Sequence, residues 1–193
     1  MSTVASEVLI SSREHLNALI EHGFNQVPLH AREPPCRGVA NIVGVKLVKQ
    51  YLNLFQREHF SDNSETVNPL HKEPYIIDDD LKLGESRAGI MAYLVNKYKP
   101  NDEHLYPGRN IKLRARIDEL LHYESGKLWP AKFRLLRPIF VGLSKELDQN
   151  NERALRRCLR YLGDRLGQNP KQQRFFFGNE LSIADISLAA SLS

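Results

Sequence analysis

The chain has 193 residues, 41% of them hydrophobic and 26% charged, which is ordinary globular material for one or two small domains with their own cores. No apolar run approaches the roughly 18 residues that a membrane helix needs, and the first 25 residues have neither the basic start nor the apolar centre of a secretory signal. Two cysteines, Cys36 and Cys158, stand far apart and outside any CxxC or metal spacing, so no disulfide framework is expected and the cytoplasm is the expected compartment.

The net charge of +4 is unevenly spread: Met1 to Arg109 carries 12 Lys and Arg against 14 Asp and Glu, Asn110 to Arg174 carries 15 against 7. A basic half of this kind could meet nucleic acid, an anionic membrane or an acidic protein. Its arginines Arg153, Arg156, Arg157 and Arg160, however, recur at helical spacing around Ala154, Leu155, Cys158, Leu159 and Leu162, without an aromatic stacking platform. A solvated helix face is therefore expected, with neither nucleic acid nor membrane as a partner.

Taken in chain order, Ser11-x-x-Glu14 reads as a capping box before a short amphipathic helix with Leu16, Leu19 and Ile20, stopped at Gly23. Residues 1–26 are on this reading an N-terminal extension. The first strand is then expected at Val27-Pro28-Leu29, short and interrupted by proline. A helix opens at Pro34-Pro35-Cys36-Arg37, weakened by Gly38 and Gly44, and Val45 to Leu54 alternates as a second strand, parallel to the first through the helical crossover.

Tyr75 to Ile77 and Leu81 to Leu83 are strand-like runs joined by Asp78, Asp79 and Asp80, a β-hairpin with Pro74 where the first strand opens. Glu85-Ser86-Arg87 then precedes a helix with Ile90, Met91, Leu94 and Val95 on a broad apolar face, ended by Pro100. The start of that helix is where the chemistry concentrates, because unpaired N–H groups and the positive end of the helix dipole favour a carboxylate or phosphate. Ser86 adds a hydroxyl donor and Glu85 a negative charge, a match for a ligand carrying both a carboxylate and an ammonium. Taken alone, such a pair more often merely caps a helix.

After a Pro/Gly linker the chain turns helical. Ile111 to Lys127 is one helix, broken or kinked at Trp129-Pro130 and continued from Phe133 to Leu143. Glu146 to Leu166 is the next, and Leu181-Ser182-Ile183-Ala184-Asp185 carries a capping box, with Asp in place of Glu, that starts a last helix.

Asn68-Pro69-x-His71-x-x-Pro74, with Glu85-Ser86-Arg87-Ala88 after it, resembles the glutathione-binding half of a cytosolic glutathione S-transferase, most closely of the insect delta and epsilon classes. The resemblance runs from about Pro34 to Ser193. It implies a thioredoxin-like α/β domain at residues 27–104, a linker at 105–109 and an all-α domain at 110–193, with the ligand cleft between the two domains. It also implies that the all-α domain is incomplete, the family's last helices being missing after Ser193, with the exposed apolar surface of the last helix covered by dimerisation or left to associate.

By resemblance Pro74 is cis, the backbone of Glu73 pairs with the cysteinyl unit of glutathione, and Glu85 and Ser86 hold the γ-glutamyl end. His59, His71 and Arg87 match further tripeptide contacts. Glu73 departs from the usual aliphatic residue. For the hydrophobic co-substrate the candidates are Tyr123, Gly126, Trp129 and Phe133, residue types that at this spacing also build plain cores.

The partners implied are glutathione as co-substrate, a small hydrophobic electrophile and a second copy of the chain, paired through the helices 87–98 and 111–127; no cofactor or metal is implied. In the resembled classes a serine three residues before the Cys of PPCR donates a hydrogen bond to the thiolate, and here that position is Glu33. A carboxylate accepts instead of donating and repels a thiolate. Two readings follow: a transferase of reduced activity, and a non-catalytic member that binds glutathione or an apolar ligand or serves as an interaction module. Cys36 is expected to be a packing residue and not a nucleophile.

Overall fold

The computed structural model describes residues 8–11, 35–47, 49–52, 74–84, 86–167 and 174–192. The chain divides into two compact units, one up to Pro100 and one from Asn101 onward.

The first unit is built on a four-stranded sheet in the order β2-β1-β3-β4, with β1 at Val8–Ser11, β2 at Lys49–Leu52, β3 at Tyr75–Asp78 and β4 at Leu81–Gly84. β1 runs parallel to β2, Val8 opposite Lys49, and antiparallel to β3, Val8 opposite Ile76; β3 and β4 form an antiparallel hairpin. This is the thioredoxin-like α/β arrangement. One expectation is corrected here: the strand beside β2 lies inside the stretch read as an extension, and Ser11 closes that strand. Val8-Leu9-Ile10 is an unbroken β-favouring run with every N–H available for its partners in β2 and β3, whereas Val27-Pro28-Leu29 has lost one donor to proline. Residues 27–29 lie outside the described residues, as does the helix expected at 12–23.

Helix α1, Pro35–Val43, buries Cys36, Val39, Ala40 and Val43. Gly44, expected to weaken it, ends it instead. Its φ of +81° lets the chain reverse, Gly44 N–H donating to Asn41 O at 3.2 Å and Val45 N–H to Ala40 O at 2.8 Å, the double bond pattern of a Schellman cap with Val45 buried beyond it.

Helix α2, Arg87–Tyr98, packs against α1 and buries Ile90, Met91, Leu94 and Val95. Burying four such side chains stabilises by about 1.5–3 kcal/mol each, which offsets the ordering of a helix too short to persist alone. The β3-β4 turn is only Asp79-Asp80, with Asp79 at φ 55°, a left-handed position that Asp tolerates. Asp78 is therefore strand, not turn, and its carboxylate is buried where it accepts from Tyr93 and Lys97 at 2.6 Å and from Tyr98 at 3.4 Å.

The long elements of the second unit are helices over its described residues, beside one isolated bridge between Phe175 and Gly178: α3 at Ile111–Tyr123, a π-helical segment at Glu124–Leu128, α4 at Trp129–Phe140, α5 at Gln149–Gly167 and α6 at Ile183–Leu192. The break expected at Trp129-Pro130 is absorbed without interrupting the rod. Pro130 has no N–H to continue the α ladder, and the preceding turn widens so that Trp129 N–H reaches back to Glu124 O.

Leu105 and Tyr106, read as linker, are buried in this unit; Leu105 O accepts from Ile183 N–H at 2.9 Å and Tyr106 OH donates to Asp118 at 2.9 Å. The start of α6 carries the expected box: Ser182 N–H donates to Asp185 Oδ2 at 2.9 Å, and Asp185 Oδ1 also takes Phe176 N–H at 2.9 Å. On α5, Arg153, Arg156, Arg157 and Arg160 are exposed, Arg156 pairing with Glu152 one turn away, as a solvated face requires.

Candidate functional site

The hairpin and the helix that follows it set the geometry. Pro74, half-buried, opens β3, where its missing N–H costs no ladder bond. After β4 the chain turns into α2 with Ser86 as N-cap, in extended conformation at φ −85° and ψ 101°. Ser86 N–H donates to Gly84 O at 2.7 Å, Ser86 Oγ accepts from Gly89 N–H at 3.0 Å, and Ser86 O accepts from Ile90 N–H at 3.0 Å.

The cap uses a lone pair of the Ser86 hydroxyl and leaves its proton to donate elsewhere. Ser86 is exposed, and its hydroxyl stands at the positive end of a twelve-residue helix with no acidic residue in its first turn. This arrangement suits a carboxylate. Arg87, half-buried, is the first helical residue. His59, His71, Glu73 and Glu85, and Glu33 of the thiolate argument, lie outside the described residues; of the tripeptide set the structure describes Pro74, Ser86 and Arg87.

Cys36 sits in the first turn of α1, fully buried, with its thiol directed at Arg87 O at 3.7 Å. Desolvation pushes the thiol up to about 12, against the smaller opposing pull of Arg87. That is the packing residue expected from the sequence. Native chain treated with a thiol-alkylating reagent at pH 7.5 should therefore modify Cys158, which is half-buried, and leave Cys36 intact until denaturant is added. Peptide mapping reads this directly, and early labelling of Cys36 would overturn it.

The co-substrate candidates divide. Trp129 and Phe133, one helical turn apart on α4, are 45% and 51% exposed, a waste of apolar surface unless something covers it. Gly126 is exposed in the π-helical segment with open space where a side chain would stand. Tyr123 is engaged inside the unit: its hydroxyl donates to Cys158 O at 3.2 Å and its ring lies 4.5 Å from that of Tyr161. Nearby, Glu124 is buried and accepts a hydrogen bond from Ser191 Oγ, while Lys132 donates to Ser191 O at 2.7 Å. Among the described residues no group of three His, Cys, Asp or Glu could hold a metal, and no helix is long and apolar enough to cross a membrane.

A profile described as the C-terminal domain of glutathione S-transferase matches residues 145–193. Glutathione S-transferase D7 of Anopheles gambiae is 35% identical over 163 residues, which is 83% of this chain and 71% of that protein. The chain belongs to the glutathione S-transferase family. Among solved structures, a delta-class transferase of Nilaparvata lugens superposes with a TM-score of 0.75 at 26% identity, over 96% of this chain and 76% of that one. A transferase homologue of Drosophila mojavensis, solved with bound glutathione, gives 0.71 at 28% identity over 82% of this chain and 69% of that one. Family membership and the thioredoxin-like fold with an all-α unit thus rest on matches over 83% and 96% of the chain, beyond the short motif around Ser86.

Two features of the hairpin escaped the sequence reading. Tyr75 and Gly84 are cross-strand partners, and the Tyr75 ring occupies the space over Gly84. The buried Asp78 with its three donors ties the turn to the far end of α2. Neither has a local signal, because both depend on which residues the hairpin register and the helix bring together.

Proposed function

We propose that this chain conjugates glutathione to small hydrophobic electrophiles. The observation that carries the reading is the Ser86 hydroxyl, held as an acceptor by Gly89 and left with a proton to donate at the N-terminus of α2. There the carboxylate of the γ-glutamyl end is held, with Glu85 opposite its ammonium and Glu73, Pro74, His59, His71 and Arg87 completing the tripeptide contacts. Trp129 and Phe133, exposed on α4, supply apolar surface for the electrophile, with Tyr123 and Gly126 on the preceding turns.

The reaction is attack of the glutathione thiolate on an electrophilic carbon, with the electron pair moving to the leaving group. A free thiol with a pKa near 8.5 is only a few per cent ionised at neutrality, and each unit by which the protein lowers it is worth about 1.4 kcal/mol. Glu33 opposes that lowering. The test is retention on a glutathione resin together with turnover of a chlorinated nitrobenzene with glutathione; absence of both overturns the reading.

Retention without turnover would instead support the non-catalytic binding reading, for which Glu33 is the one specific argument. Glu33→Ser should raise kcat/KM about tenfold, since it removes a repelling charge and adds a donor to the thiolate. A wild type of full activity on which Glu33→Ser has no effect would remove Glu33 from the vicinity of the thiol. We also propose, on the family's general pattern, that the chain works as a homodimer.

A further inference from the structure

We infer that Tyr75 and Gly84 act as a size-matched lock that positions the glutathione-binding groups at the open end of the hairpin, Pro74 before β3 and Ser86 after β4. The inference rests on the functional reading above and deepens it. The two residues face each other across β3 and β4, on the same side of the sheet. Tyr75 is 4% exposed, and a Cβ built on Gly84 would stand 2.4 Å from Tyr75 Cδ2 and 2.9 Å from Cε2. Such distances are well inside van der Waals contact, so any side chain at Gly84 must displace the ring or the strand. Gly84 has no left-handed backbone to explain its presence; the space that the tyrosine fills does.

The position of the pair gives it a role beyond packing. Tyr75 directly follows Pro74, and Gly84 O holds the backbone N–H of Ser86 at 2.7 Å. Ser86 in turn holds Gly89 through its hydroxyl and Ile90 through its carbonyl. A shift of β4 at Gly84 therefore passes through one hydrogen bond to the group proposed to bind the ligand carboxylate, and a shift of the Tyr75 ring moves the strand that begins at Pro74. Displacements on the scale of an ångström at a binding group are enough to lose an order of magnitude or more of function.

The experiment is a double-mutant cycle on the intact chain, with glutathione itself as the probe and its Kd measured by calorimetry, alongside circular dichroism and Tm. Gly84→Ala should weaken glutathione binding about tenfold or more at temperatures where the variant is fully folded. Gly84→Leu should be worse, Tyr75→Val intermediate, and Tyr75→Val/Gly84→Leu, with the bulk moved from one strand to the other, should recover to within about threefold of wild type.

A pair that only supported the fold would lower Tm while leaving the Kd of the folded chain unchanged, which would overturn the lock. So would a double variant no better than Gly84→Leu alone. If Gly84→Leu does not fold, Gly84→Ala and the double variant still decide the matter. A wild-type chain that fails to bind glutathione overturns the proposed function and the lock with it, whereas binding by wild type with additive effects of the variants overturns the lock alone.

Discussion

Replacing Ser86 by Asp is expected to leave the chain folded and remove its affinity for glutathione. Asp is as good an N-cap as Ser, so its carboxylate can accept from Gly89 N–H in place of Ser86 Oγ, and its charge suits the positive end of α2. The same charge stands where the γ-glutamyl carboxylate is proposed to bind, and the hydroxyl proton that would have bonded it is gone. Loss of a hydrogen bond to a charged group costs about 1.5–3 kcal/mol, and like-charge repulsion adds to it, so affinity should fall about a hundredfold or more.

Ser86→Ala removes both roles at once, losing the cap as well as the donor and lowering stability by about 1 kcal/mol. Calorimetric Kd beside thermal melting distinguishes the variants. Unchanged affinity in Ser86→Asp would remove Ser86 from the binding site whatever its effect on Tm.

The parts of this fold that were legible in the sequence are those whose cause lies within a few residues. Asp78-Asp79-Asp80 between two β-favouring runs reads as a turn, and the turn is found at its last two residues; Ser86 before an apolar helical face reads as a cap and Ser182 with Asp185 as a box, and both are found. The first strand was misplaced because strand identity is settled by pairing, and the partner of β1 stands some forty residues away at Lys49–Leu52. Nothing in Val8-Leu9-Ile10-Ser11 announces that neighbour.

Trp129-Pro130 reads as a break or kink and not as the sequel of a π-helical turn, since a proline removes a local bond but does not reveal how the preceding turn redistributes the others. The Tyr75–Gly84 pair was invisible for a third reason: a glycine in a strand reads as weakness until the residue opposite it is known. The family motif was specific enough to name a binding function from residues 68–88. It says nothing of what holds Pro74 and Ser86 in register, the task proposed above for the Tyr75–Gly84 pair.

The second large effect is expected at Asp78, which ties the hairpin turn to the end of α2. Burial pushes its carboxyl up, but the bonds from Lys97, Tyr93 and Tyr98 outweigh that and hold it below the ordinary carboxylate range. All three donors reach Oδ2, and among the described residues Oδ1 is buried without a donor. Asp78→Ala would leave two tyrosine hydroxyls and an ammonium facing a void. The Lys97 side chain is 31% exposed and can regain water, so the loss should fall short of that for a wholly buried pair, at about 2–3 kcal/mol for removal of the carboxylate.

Asp78→Asn can keep an acceptor toward the donors and place its amide where Oδ1 now stands, so it should cost less and isolate the charge. Because the folded-state value lies below the unfolded one near 3.9, the contribution of Asp78 is fully present above about pH 4 and is lost as pH falls through the folded value. Lys97 behaves in the opposite sense: its bonds to Asp78 and Tyr93 raise it, so its contribution is present below its unfolded value near 10.4 and is lost only in stronger alkali. Thermal melts between pH 2.5 and 8 should therefore show wild type losing more stability on acidification than Asp78→Asn, with the two curves converging at the acid end. Parallel curves over that range would mean that Asp78 carries no charge-dependent share of the stability and that its hydrogen bonds, not its ionisation, hold the turn to the helix.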